Sequence, residues 1–311
     1  MHRVALALGL SILLSASSTL PTIAQGTPAS GEGMFAGLGL PELVITVTDT
    51  GLQPDQTEIP AGRYLVTLEA GDAPNASAGF VRLAEGKTLE DLSWADEMAA
   101  GTPAPEEGPP IEDLAWIFET YVSGGPSAIN PQVVVNLPAG EYGIWADDPA
   151  SPMPAQGLTV TGDPDPAAIS GPEPEPAVTI EQIGTGGKGF TFGVDGELTA
   201  GPQIVKIVNG SDQPHFTSAF QYPEPITIDQ VMASIMFDPS SGATPAPDLL
   251  DLEQTQFVAF VAAQSAGTVT WTVVDLQPGQ VGLECWIPDP LAGGVPHALE
   301  GMIQLFDVAQ A

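Results

Sequence analysis

Positive charge is almost missing from this 311-residue chain: six Lys and Arg stand against 39 Asp and Glu, for a formal charge of −33. So acidic a surface repels phosphate backbones and anionic lipid, which excludes nucleic acid as a partner, whereas a basic protein would be drawn to it. Cysteine is limited to Cys285. That rules out an internal disulfide and leaves the thiol buried, reactive, bridged to another chain or bound to a metal. Histidine is limited to His2, His215 and His297. Long apolar runs are absent too: nothing beyond the first two dozen residues approaches the roughly 18 consecutive apolar residues of a membrane-spanning helix.

The apolar run Val4 to Leu14 follows Met1-His2-Arg3 and precedes small residues up to Thr22-Ile23-Ala24. A basic head, an apolar stretch and a small-residue tail are the three parts of a secretory signal peptide. Cleavage is expected after Ala24, leaving a chain secreted or held outside the cytoplasm. Its remaining cations are Arg63, Arg82, Lys87, Lys188 and Lys206. The 287 residues left suffice for two domains.

Pro and Gly are plentiful, at 32 and 35 residues. Between them the apolar segments are short and often alternate, which reads as strands and turns. In Thr268-Val269-Thr270-Trp271-Thr272-Val273 the apolar residues share one side and the threonines the other. Leu43-Val44-Ile45-Thr46-Val47 and Tyr64-Leu65-Val66-Thr67-Leu68 repeat the pattern less cleanly. Many such segments predict an all-β sandwich or barrel.

The stretch from Gly162 to Pro176 is acidic and proline-rich and is expected to be an extended, stiff spacer. On its two sides the chain echoes itself. Leu137-Pro138-Ala139-Gly140-Glu141-Tyr142-Gly143 corresponds to Leu276-Gln277-Pro278-Gly279-Gln280-Val281-Gly282 at an offset of 139 residues. Thr88-Leu89-Glu90-Asp91 and Thr227-Ile228-Asp229-Gln230 share that offset, each reading as an N-cap threonine that opens a short helix. Thr102-Pro103-Ala104-Pro105 and Thr244-Pro245-Ala246-Pro247 are a looser echo. The expected organisation is a signal peptide at 1–24, a flexible segment at 25–41, a first domain at 42–162, a linker at 163–176 and a second domain at 177–311.

Chemistry concentrates in the second half. Asn209-Gly210-Ser211-Asp212-Gln213-Pro214-His215 ends a strand in a polar turn, and about 70 residues on come Cys285-Trp286 and then Pro296-His297-Ala298-Leu299-Glu300-Gly301-Met302. This pattern resembles the cupredoxins, the plastocyanin and azurin group of blue copper proteins. The resemblance implies two tandem Greek-key β-sandwiches of cupredoxin-like fold with short helical insertions. It also implies one type 1 copper in the second domain, with His215 and His297 as imidazole ligands, Cys285 as thiolate and Met302 as weak axial thioether. A His₂Cys plane with a long axial Met suits both copper oxidation states. The mature chain's one Cys and two His all fall at ligand positions. Eleven residues separate Cys285 from His297, longer than in small blue copper proteins.

Carried back through the repeat, the ligand positions of the first half hold Asn75, Ala146, Met153 and Leu158. No type 1 copper is expected there. The function expected is a one-electron carrier with a basic redox partner; alternatives are a metal-free scaffold and a copper capture or delivery protein. An enzyme is not expected, because copper nitrite reductases and multicopper oxidases need further His ligands and this chain has none to spare.

Overall fold

The computed structural model describes residues 24–25, 33–92, 111–146, 153–222, 224–237, 249–250 and 255–311. The signal-like run and the Thr-Pro-Ala-Pro echoes lie outside the described residues.

The first domain contributes β1 Glu42–Thr48, β2 Gly51–Pro54, β3 Glu58–Pro60, β4 Gly62–Glu69, β5 Gly79–Arg82, helix α1 Ile111–Glu119, β6 Gln132–Leu137, β7 Gly140–Trp145 and β8 Gln156–Thr161. The second contributes β9 Val178–Gly184, β10 Phe190–Asp195, β11 Gly201–Asn209, β12 His215–Tyr222, helix α2 Ile228–Met236, β13 Gln256–Gln264, β14 Val269–Leu276, β15 Gly279–Glu284 and β16 Ile303–Val308. Each domain is a sandwich of two sheets. The first packs β6-β4-β1-β2 on β3-β8-β7-β5, and the second packs β10-β9-β11-β14 on β13-β12-β15-β16.

The duplication is plain in the pairings. β1 runs parallel to β4 as β9 does to β11, and β7 pairs antiparallel with β8 as β15 does with β16. The 139-residue offset carries β7 onto β15 end to end. Of the two threonine caps, Thr227 opens α2 with a full capping box, whereas Leu89–Leu92 forms a 3₁₀ turn. A further echo lies inside the first domain. Pro60-Ala-Gly-Arg-Tyr64 and Pro138-Ala-Gly-Glu-Tyr142 each turn a corner that the Tyr hydroxyl closes, donating to the proline carbonyl four residues back at 2.7 Å.

The domains are fused, not strung apart. β14 pairs with β6, Trp271 opposite Val134, so the two domains join matching strands into one eight-stranded sheet. Both faces of β14 are therefore covered. Trp271 and Val273 pack with Phe35, Leu65 and Val134 over the seam, while Val274 and Leu276 enter the second domain's core. Thr270 and Thr272, read from the alternation as the polar side, are fully buried and donate to the carbonyls of Ser123 and Gln132 in the first domain. The expectation of a flexible segment through residue 41 is corrected: residues 33–40 carry a 3₁₀ turn, and Phe35 is buried over this seam because an apolar gap there needs a cover.

The proline-rich segment is likewise not a free spacer. Arg63, buried against the Trp271 ring, donates to the Gly171 and Pro172 carbonyls and pairs with Glu173, which Lys206 of the second domain also approaches at 3.6 Å. Two of the few cations are thus spent at the junction.

Candidate metal centre

His215 opens β12, and the turn before it is tied down by Asn209. The Asn209 amide donates to the carbonyls of Gln213 and Gln264, both at 2.8 Å, and its oxygen accepts from the Ser211 backbone and hydroxyl. Cys285 follows the last residue of β15, where its N–H donates to the Met302 carbonyl. A 3₁₀ turn at His297–Glu300 ends at Gly301, whose φ of +111° reverses the chain as few L side chains could. Met302 N–H then returns to the His297 carbonyl at 2.9 Å. The His-to-Met spacing seen in the sequence is therefore one tight turn.

The long Cys-to-His stretch is ordered by its own pairings. Pro288–Asp289 and Val295–Pro296 form a two-residue ladder, the Asp289 carboxylate caps Pro290–Ala292 through Leu291 N–H, and His297 N–H closes on the Ile287 carbonyl. The extra residues make a stapled loop, and the candidate ligands Cys285 and His297 stay together.

His215, Cys285 and His297 converge, each fully buried, with candidate donor atoms within 4.8 Å of one another. The Cys285 sulfur lies 3.6 Å from His215 Nδ1 and 3.7 Å from His297 Nδ1. Metal–sulfur and metal–nitrogen bonds of ~2.3 and ~2.0 Å in a trigonal plane would set these atoms about 3.7 Å apart. The donor set fits an ion. All three donors are fully buried, out of reach of water. Met302 is fully buried beside them. Phe190 closes the site with its ring centroid 4.8 Å from the His215 ring and 4.2 Å from the His297 ring.

Electrostatics favour ligation. Burial, then the neighbouring His297, push the His215 pKa down to about 2, and burial pushes that of His297 down to about 4 against the pull of Asp289. Both rings are neutral near pH 7, as metal ligands must be. Burial alone would raise the Asp289 pKa, but hydrogen bonds from Gln213, Gly187, Leu291 and Glu300 outweigh it and hold the carboxyl below its usual range. Next to the thiol, Glu284 is buried and accepts the Trp286 indole N–H at 2.9 Å, and its pKa is raised by burial to about 7.

A carboxyl whose folded pKa is raised contributes stability below its unfolded value, near 4.5, and that contribution is lost as pH rises through about 7. Glu284→Gln keeps an oxygen for Trp286 and removes the buried charge. The metal-free variant is expected to gain about 2–3 kcal/mol at pH 8 and almost nothing at pH 4.5. Thermal melts at the two pH values test it; an equal shift at both would show that charge is not the cause.

The first domain's corresponding positions hold no such set. Ala146 is buried at the end of β7, Leu158 is core in β8, and Asn75 is exposed. Sequence reasoning named His215, Cys285 and His297, which the fold brings together, but missed the polar residues around them, Ser211, Gln213 and Asp289; the first two stand in the string that leads to His215 and the third in the insertion.

No protein-family model and no curated protein matches the chain. Among solved structures it is similar to auracyanin from Roseiflexus castenholzii, 18% identical over 42% of this chain and 94% of that one, TM-score 0.26. It is also similar to a copper nitrite reductase from Nitrosomonas europaea, 11% identical over 87% and 93%, TM-score 0.23, and to a multicopper oxidase, 13% identical over 86% and 88%, TM-score 0.21. The expectation that the chain is not an enzyme does not stand, because two of these three similar structures are enzymes. The physical reason is that a shortage of spare histidines limits a second histidine-bound metal, not every reaction a shared framework can host. Two sandwiches of one topology, joined through matching strands, with a buried His-Cys-His set in the second, give this chain two tandem domains of cupredoxin-like fold with a candidate site for one type 1 copper.

Proposed function

We propose that the protein works outside the cytoplasm as a one-electron carrier in which His215, Cys285, His297 and Met302 would hold one copper ion. The observation that carries this reading is the pair of Nδ1-to-sulfur distances, 3.6 and 3.7 Å, among three fully buried donors. A copper ion held there would supply one-electron chemistry between the +1 and +2 states. The protein's part is to keep that geometry fixed. β12, β15 and β16 anchor the ligands, Phe190 excludes water, and the buried rings remain neutral and ready to coordinate. Export is supported by the N-terminal basic, apolar and small-residue run, and the acidic surface suits a basic redox partner. Among the described residues no helix is long and apolar enough to cross a membrane. Complete burial of the donors favours a resident ion over capture and delivery, which need ready access.

The test is to load residues 25–311 with Cu(II), record the visible spectrum and titrate with a one-electron reductant. An intense blue band, bleached by one electron per chain and restored on oxidation, is the expected result; a colourless protein that retains no copper would overturn the reading. Met302→Leu is expected to shift the potential while the band persists.

A further inference from the structure

His297 is held from behind by a chain of hydrogen bonds whose donor and acceptor roles are forced. Its Nε2 lies 3.0 Å from Gln213 Oε1, and Gln213 Nε2 lies 2.7 Å from Asp289 Oδ1. Asp289 is fully buried and already serves as an acceptor. Oδ1 takes Leu291 N–H at 2.7 Å and Oδ2 takes Gly187 N–H at 2.6 Å. The Gln213 NH₂ must therefore face Asp289, and its carbonyl oxygen must face His297. An amide oxygen only accepts. His297 Nε2 must then carry the hydrogen, which leaves the Nδ1 lone pair aimed at Cys285.

The surroundings hold this orientation in place. Gln213 is buried, and the glycine-rich hairpin between β9 and β10 presses on it: a Cβ at Gly186 would fall 2.1 Å from Gln213 Nε2. The same hairpin supplies Gly187 N–H to Asp289, and Gly186 N–H is held by Asp212 at 2.9 Å. Asp289 itself comes from the stretch that lengthens the Cys-to-His loop.

We infer that Gln213 and Asp289 are positioning residues that lock His297 in its Nε2–H tautomer, and that the extended loop exists to deliver Asp289 for this purpose. The inference rests on reading His297 as a metal ligand. Outer hydrogen bonds of this kind fix ring orientation and tautomer, and their loss typically weakens metal binding roughly 10–100-fold.

The experiment uses metal-free, ¹⁵N-labelled residues 25–311, in which His215 and His297 are the remaining histidines. Two-bond ¹H–¹⁵N correlations report which ring nitrogen carries the hydrogen. In the wild-type protein His297 is expected wholly as Nε2–H. Gln213→Met removes the acceptor, and Gly186→Ala displaces Gln213 while keeping both side chains. Each is expected to populate the Nδ1–H tautomer and to weaken copper binding by roughly 10–100-fold. If the folded variants keep His297 wholly as Nε2–H, the inference is overturned; Gly186→Ala serves should Gln213→Met not fold. A wild-type protein that holds the single tautomer yet takes no copper would sink the copper reading and leave the positioning chain supported.

Discussion

Cys285→Ser is expected to abolish the intense blue absorption of the copper-loaded protein and to weaken copper binding by more than the roughly 10–100-fold typical of an outer-shell change. The band arises from charge transfer out of a thiolate, and a serine hydroxyl is neither soft nor ionised at neutral pH. The fold should survive. A hydroxyl at this place lies beside two imidazole nitrogens and can donate to or accept from them, so the usual cost of burying an unsatisfied polar group, about 1–3 kcal/mol, is largely avoided. The measurement is a visible spectrum and a copper titration beside a thermal melt of the metal-free variant. Copper affinity and colour that match the wild type would show that the sulfur is not a ligand, whatever the melt shows.

Trp271→Ala is expected to cost about 3–5 kcal/mol, the range for deleting a large buried aromatic. For a chain of this size that is on the order of 10 °C in melting temperature. The indole is 1% exposed and sits in the strand that joins the two domains. Arg63 lies 5.0 Å and Lys206 5.3 Å from its ring centroid, and both also pair with Glu173 of the linker. The substitution therefore leaves a cavity at the seam and removes the face on which two cations rest. A second, separate unfolding transition would show that the domains are stable alone and that the seam merely docks them. A shift under 1 kcal/mol would show that the seam carries little stability.

Much of the site was legible in the chain because residue types were so sparse. One cysteine and two histidines after Ala24 cannot be scattered by chance into a turn before a strand and a loop before the last strand without notice. The four-residue gap from His297 to Met302 was equally readable, being one 3₁₀ turn closed at Gly301. The supports were not. Gln213 and Asp289 stand 76 residues apart, and a glutamine in a turn or an aspartate between prolines carries no periodic signal. The offset of 139 residues gave away the duplication, but not that matching strands of the two copies would pair.

Composition, alternation and repeat fixed the all-β class, the two copies and the four ligand candidates, because each rests on local chemistry: strand period, turn residues and rare donor side chains. The tertiary structure alone decided that β6 and β14 share one sheet, that two threonines on the polar side of a strand are buried, and that the proline-rich segment is clamped by Arg63. It also decided which nitrogen of each histidine faces the sulfur. Those outcomes depend on which edges and polar groups meet across more than a hundred residues, and burial there makes every unpaired donor costly, so the partners are chosen by the folded whole and not by the local sequence.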